Sequence, residues 1–390
     1  MNKKVGIITI TVGEMLNRFN YGNKLQNYAM QVKLKDFGFD SETILYEPII
    51  PEYTKKMQAK TTKYKFEFNQ FINDVIRITK RKVFRKKIDF LNELRTQKFK
   101  EFNQKNIKFS KKDYKHGDDL SELLKKYDLF IAGSDQIWNP YYEGFNSFYF
   151  MDFAPDSRKI TYAPSFGVSV IPSEIKNEYQ KRLSSIKYLS IREDIGKKLL
   201  KKEFGLDAQF VCDPVFLLGK EEWMKICSKR KIKERYIAVY LLGKMSFETK
   251  KQILKISKEL NLKLIDIYTW DNPNSQFAGP NEFLSLIYNC EFLITDSFHG
   301  TAFSIIFDKP VVIVDRNASN KKSQYKMNSR IDSILRLVDL NEKTKIENIY
   351  KKPREIFNIK YNRIKLDELI IKSKNYLKMS LKKGEKNNER

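Results

Sequence analysis

Short β-branched runs alternate with helical stretches along this chain, and the alternation sets the expected architecture. The run VGIITI (5–10) leads into polar and glycine residues, then Leu25, Tyr28, Ala29, Val32 and Leu34 recur at helical spacing. SETILY (41–46) follows, stopped by Pro48. Strand, glycine-containing loop, helix, strand is the opening of a parallel α/β domain. The rhythm resumes at YDLFIAGS (127–134) and continues through KITYAPS (159–165), YLSIRE (188–193) and AQFVCDP (208–214). A helix is predicted from Asp194 to Phe204, ended by Gly205. A second series starts at YIAVYLLG (236–243) and passes through a Lys/Glu/Leu helix to Leu260. LKLIDIY (262–268), EFLITD (291–296) and KPVVIV (309–314) complete it.

The expected fold class is α/β, with two Rossmann-like domains facing across a cleft. Residues 1–218 make the first domain, 219–378 the second, and 379–390 a flexible polar tail. A lysine-rich helical insertion at about 51–115 interrupts the first domain, with Phe84, Ile88 and Leu91 forming one apolar stripe.

Composition adds two constraints. Apolar residues make up 41% of the 390, with 28 Phe and 21 Tyr, which is enough to fill large cores and excludes wholesale disorder. Lys and Arg total 74 against 48 Asp and Glu, a net charge of +26 that favours anionic partners. The densest stretch, Lys80 to Lys112, has three readings: a solvated helix face, docking to an anionic membrane, or nucleic-acid binding. The last is disfavoured because no recognisable binding module accompanies it. Cys212, Cys227 and Cys290 lack CxxC spacing, which argues against a disulfide framework or zinc knuckle and fits a reducing cytosol. No apolar run reaches the roughly 18 residues of a membrane span. Val5 to Val12 is closed by Gly13-Glu14 without a cleavage site. A cytoplasmic protein is expected, peripheral at the inner membrane face under the membrane reading.

Open parallel sheets bind ligands at the carboxyl ends of their strands, and four segments fall there. In EFLITDSFHGTAF a strand ends at Asp296, and Ser297, Phe298, His299 and Gly300 turn into a helix near Thr301. A histidine between a strand end and a helix start can donate to a phosphate or deliver a proton; the plainer reading is a capping turn. YLSIREDIG places Arg192 at a strand end, where it can grip a carboxylate or phosphate, or simply pair with a neighbouring acid. RFNYGNKLQNYAM offers Asn20, Gly22, Asn23 and Gln26, amides suited to sugar hydroxyls, in a pattern that is neither GxGxxG nor a P-loop. FIAGSDQIWNP supplies Ser134, Asp135, Gln136 and Trp138, either a carbohydrate-contacting loop or a loop anchored by a packed tryptophan. His116 reads as a solvated loop residue, and no His/Cys/Asp cluster has metal-ligand spacing.

AGSDQIWNP, YAPSFG (162–167), SIRED, CDPVFLL (212–218) and ITDSFHGTAFSIIFDKP, with NYGNKLQNYAMQ near the start, together resemble the polysaccharide pyruvyl transferase family. Order and spacing match over roughly residues 5–340. The resemblance implies a fold similar to the B-type glycosyltransferases. It implies transfer of a pyruvyl group from phosphoenolpyruvate onto hydroxyls of a surface-polysaccharide sugar or its lipid-linked precursor, forming a ketal with no cofactor. The family's functional arginine falls on Arg192 and its histidine on His299, with the first domain on the acceptor side and the second on the donor side. Many members carry arginine-leucine before that histidine, where this chain has Ser297-Phe298. Two alternatives are a nucleotide-sugar glycosyltransferase, with Glu282 as the ribose-binding acid, and a catalytically silent scaffold of polysaccharide assembly.

Overall fold

The computed structural model describes residues 3–11, 19–49, 68–141, 145–243, 245–268, 275–276, 278–315, 329–340 and 342–388. Lys4–Ile8 (β1), Asp40–Glu47 (β2), Phe109–Lys115 (β3), Leu129–Ala132 (β4) and Lys159–Thr161 (β5) form a parallel sheet in the order β3-β2-β1-β4-β5. A short parallel pair, Ser190–Ile191 (β6) and Gln209–Phe210 (β7), continues beyond β5 through a bridge from Ile160 to Tyr188. Tyr236–Tyr240 (β8), Lys263–Asp266 (β9), Phe292–Thr295 (β10) and Val311–Ile313 (β11) form the second parallel sheet, ordered β11-β10-β8-β9. Strands β4, β8 and β10 are buried at every residue, which is why they read as unbroken apolar runs.

Each sheet has one place where the chain order reverses, between β1 and β4 in the first and between β8 and β10 in the second. Such a reversal opens a crevice at the carboxyl ends of its two strands. The helices beside these crevices are Tyr21–Asp36 (α1), Phe68–Asn106 (α2), Asp194–Phe204 (α3), Phe247–Leu260 (α4), Pro280–Tyr288 (α5) and Phe298–Ile306 (α6), with Ile364–Asn388 (α7) closing the chain.

One apolar cluster runs through both units, joining Val5, Ile7 and Leu25 to Phe283, Leu293 and Phe303. Tyr21 pins α1 to α5: its ring stacks on Phe283 at 4.6 Å and its hydroxyl donates to the Ala278 carbonyl at 2.9 Å. Arg95 of α2 donates to the Gln276 carbonyl at 2.5 Å and to Ser275 Oγ at 3.3 Å. Its guanidinium lies against the rings of Tyr268 and Phe19, at 4.6 and 5.2 Å. The two units therefore share packed side chains as well as a crevice.

Three expectations need correction. The insertion is not helical throughout: its end is β3, an edge strand paired with β2 at Tyr46–Tyr114. Only Ser110 and Tyr114 of β3 are buried, so its exposed lysines, common on edge strands, hid the period-2 signal. Among the described side chains of α2 the buried stripe runs from Ile88 through Arg95 to Phe99 and Phe102, while Phe84 is 41% exposed. The tail is not a frayed polar end, because α7 continues to Asn388. It returns to the first sheet, where Tyr376 Oη donates to the Thr161 carbonyl at 3.2 Å and Ser373 Oγ accepts from the Cys212 amide at 2.9 Å. Leu377 and Leu381 are buried along the same face. The Gly13-Glu14 stop, residues 51–67 of the insertion and residues 389–390 lie outside the described residues.

Candidate functional site

The two crevices meet. Gly22, in the first turn of α1, lies so close to the imidazole that a Cβ there would stand 1.9 Å from His299 Nδ1. Only glycine allows that approach. The amino-terminal turns of α1 and α6 thus converge on one point, and both helix dipoles favour negative charge there.

Beside this contact lies a buried charge cluster centred on Asp213. Asp213 Oδ2 accepts from Arg192 Nη1 at 2.6 Å and from Ser134 Oγ at 2.9 Å, and stands 3.8 Å from His299 Nε2. Its Oδ1 accepts from the Val215 amide at 3.1 Å. Asp135 Oδ1 lies 3.5 Å from Arg192 Nη2, and Glu193 Oε2 lies 3.8 Å from Arg192 Nε. Burial alone would push the Asp213 carboxyl up; the His299 imidazole and the Arg192 guanidinium outweigh it and hold the carboxyl well below the usual carboxylate range. Asp213 is therefore a fixed negative charge between the two residues expected to carry the chemistry. Four buried polar atoms at the cluster make no hydrogen bond within the described residues: Arg192 Nε and Nη2, Glu193 Oε2 and His299 Nε2. Buried polar groups are normally satisfied; these atoms instead face ionic partners, Arg192 toward Asp135 and Glu193 and His299 toward Asp213, at 3.5 to 3.8 Å.

The expected residues divide sharply. Gly22, Ser134, Asp135, Arg192 and His299 come together. Gln26 joins them indirectly, donating to Thr9 Oγ1 at 3.1 Å, while Thr9 Oγ1 donates to the Ser134 carbonyl at 3.3 Å. Asn23 donates to the Ile10 carbonyl at 2.9 Å and so fixes the loop after β1. Asn20 is an exposed helix cap, accepting from the Asn23 amide at 3.1 Å. Gln136 accepts from Asn139 Nδ2 at 2.7 Å within its own loop.

Trp138 is corrected outright. It is wholly buried, stacked on Phe150 at 5.6 Å with its indole N–H on the Tyr149 carbonyl, so the packed-anchor reading holds and no sugar reaches it. Ser297 and Thr301 also follow the plainer reading. Ser297 caps α6 by accepting from the Gly300 amide at 3.4 Å, and Thr301 Oγ1 donates to the Ser297 carbonyl at 3.0 Å. Gly300 faces its own strand, where a Cβ would stand 2.6 Å from Thr295 Oγ1, so it serves packing rather than ligand approach. Arg192 is corrected in part: it is no free cation facing the crevice, since its Nη1 is committed to Asp213 and Ser134.

Asp213 was missed as a site residue, although CDPVFLL was prominent in sequence. Its role becomes visible only when loops ending β4, β6 and β10 are brought together. Phe298 lies beneath the Arg192 guanidinium at 5.1 Å and edge-on to His299 at 5.2 Å. A basin of ≈ 440 Å³ among Lys220, Arg230, Tyr288 and Lys309 shares no residue with the cluster. The site is defined by the buried charge cluster rather than by that hollow. Among the described residues no group of His, Cys, Asp and Glu could hold a metal ion. Nor is any described helix long and apolar enough to cross a membrane.

Two doubly wound sheets meeting at their strand ends define the B-type glycosyltransferase-like class. A putative UDP-N-acetylglucosamine 2-epimerase from Listeria monocytogenes shares the fold, with a TM-score of 0.50, 11% identity, and 95% of this chain and 91% of that one covered. The UDP-GlcNAc 2-epimerase from Neisseria meningitidis gives 0.48 at 10% identity over 98% and 100% of the two chains. Among curated protein sequences none matches. The polysaccharide pyruvyl transferase family model matches residues 20–318, and the chain belongs to that family.

Proposed function

We propose that this chain transfers the pyruvyl group of phosphoenolpyruvate onto two hydroxyls of a sugar in a surface polysaccharide or its lipid-linked precursor, forming a ketal. The observation that carries this reading, beside family membership, is the His299–Asp213–Arg192 cluster at the junction of the two crevices. Ketal formation puts a proton on the methylene carbon and two sugar oxygens on the central carbon, with release of phosphate. One hydroxyl proton is balanced by the new methyl group and the other leaves with phosphate. In this reading His299 delivers the proton, with Asp213 as its fixed counter-charge. The converging helix starts and the Arg192 guanidinium suit the donor's phosphate and carboxylate. No cofactor is required by this chemistry.

The glycosyltransferase alternative loses its acid. Glu282 Oε2 accepts from the Gly279 amide at 3.1 Å and Oε1 pairs with Lys98 at 2.8 Å, so it serves as a helix cap and ion pair. The test is calorimetric binding of phosphoenolpyruvate against UDP-sugars, followed by phosphate release with a sugar acceptor. Binding of phosphoenolpyruvate with acceptor-dependent phosphate release supports the proposal; binding of a UDP-sugar alone overturns it.

A further inference from the structure

Helix α2 has two faces with different fates. From Ile88 onward, one face packs on the body through Arg95, Phe99 and Phe102. In the turn just before it, Val83, Phe84, Arg85, Lys86 and Lys87 are all exposed. Five consecutive residues cover every side of a helix with 3.6 residues per turn. Val83 is 71% exposed and Phe90 57%, and their i, i+7 spacing puts them on one side, with Lys86 and Lys87 flanking it. The sequence leading into this turn, RITKRKVFRKK (77–87), has seven basic residues and no acid.

We propose that this turn of α2 docks the protein on an anionic lipid surface. Val83 and Phe90 would enter the headgroup boundary, while the lysine stems lie along it and their ammonium groups meet lipid phosphates. The charge argues for this occupant. A second copy of the chain would bring the same basic run against itself, and a nucleic-acid duplex would leave the exposed phenylalanine without a role. The placement also ties docking to the crevice. Phe99, nine residues beyond Phe90 and so roughly 14 Å along the axis, packs on Phe19 at 5.3 Å, just ahead of Gly22. Arg95 between them grips the 275–276 loop of the second unit. A lipid surface at Phe90 would therefore hold the crevice near membrane-borne sugars. Docking itself needs neither donor nor acceptor, so it stands or falls apart from the pyruvyl reading.

The test is co-sedimentation of the full chain with phosphatidylcholine vesicles, with and without about one third phosphatidylglycerol. Binding is expected only to the anionic vesicles and should weaken with salt, because exposed charges are screened over about 8–10 Å. Lys86→Gln with Lys87→Gln should weaken partitioning about 30-fold, at roughly 1 kcal/mol per cation. Val83→Ser with Phe90→Ser should weaken it about tenfold or more. All four residues are exposed, so thermal unfolding should be unchanged in both variants. Equal binding to neutral vesicles, full binding by the Val83/Phe90 variant, or displacement of vesicles by duplex RNA would each overturn the proposal.

Discussion

Charge is used in opposite ways at the Asp213 cluster and on the exposed turn of α2. At the cluster, one arginine, one histidine and three carboxylates are fixed within a few ångströms and shielded from water. On α2, a dense set of lysines and arginines stands in solvent, with Arg85 Nε 3.7 Å from Asp89 across a loosely held pair. Buried charges act through position: removing one partner strands the others, and salt scarcely reaches them. Exposed charges act through number, and each is individually dispensable. The comparison predicts single-residue sensitivity at the first site and salt sensitivity at the second.

The largest effect should come from the imidazole. His299→Ala should lower turnover roughly 10²–10⁴-fold while donor affinity stays within a few-fold, if His299 delivers the proton. Gly22→Ala should approach the same loss without touching a titratable group, because its Cβ would occupy the imidazole's place. Full turnover in either variant, measured as phosphate release, would remove the cluster from the chemistry.

Next in size are the stabilities of the buried pair. Arg192→Ala or Asp213→Asn should cost roughly 3–5 kcal/mol in urea unfolding, because each leaves buried charge unpaired. Neutralising Lys86 should shift stability by no more than about 0.5 kcal/mol. Arg192 is thus first a positioning residue for Asp213. If so, Arg192→Lys, which keeps the charge but loses the fork, should recover more stability than turnover. Equal recovery of both would mean that Arg192 acts by charge alone.

What could be read in advance follows from the same division between local and assembled features. Strands β1, β4, β8 and β10 were legible because both their faces are buried and their runs are continuously apolar. His299 was legible because a strand end, a turn and a helix start lie within a few residues of one another. Asp213 was not, since its partners Ser134, Arg192 and His299 lie on three separate strand ends that only the crevice brings together. The two readings of Trp138 could not be separated in advance for a similar reason: its stacking partner Phe150 is twelve residues further along the chain. The α7 end did carry a signal, with Leu366, Leu369, Ser373, Leu377 and Leu381 near helical spacing, but its lysine content masked it.

A smaller, graded effect belongs to a third kind of charge, a buried lysine. Burial of Lys24 lowers its pKa from 10.5 to about 7. Between those values the unfolded chain binds a proton that the folded chain has released. Stability should therefore rise with pH from about 7 upward, by up to roughly 1.4 kcal/mol per unit from this group alone. Below pH 7 the burial penalty is fully present. Lys24→Met should remove that slope between pH 7 and 9 and raise stability most at the acidic end, in urea melts at each pH. An unchanged slope would show that the Lys24 amine stays protonated when folded.

The smallest effect tests the exposed turn through its one acidic neighbour. Asp89 pairs only loosely with Arg85, and both side chains are more than half exposed. Such pairs contribute about 0–1 kcal/mol, so Asp89→Ala should leave the urea midpoint nearly unchanged, with any difference fading in high salt. On anionic vesicles the same substitution should tighten binding about fivefold, because it removes a repelled charge worth roughly 1 kcal/mol at the surface. The two readouts should thus move independently, one flat and one upward. A loss of stability near that of Asp213→Asn would place Asp89 in the packed part of the molecule. Weaker vesicle binding would mean that this face of α2 is not the one that meets the lipid.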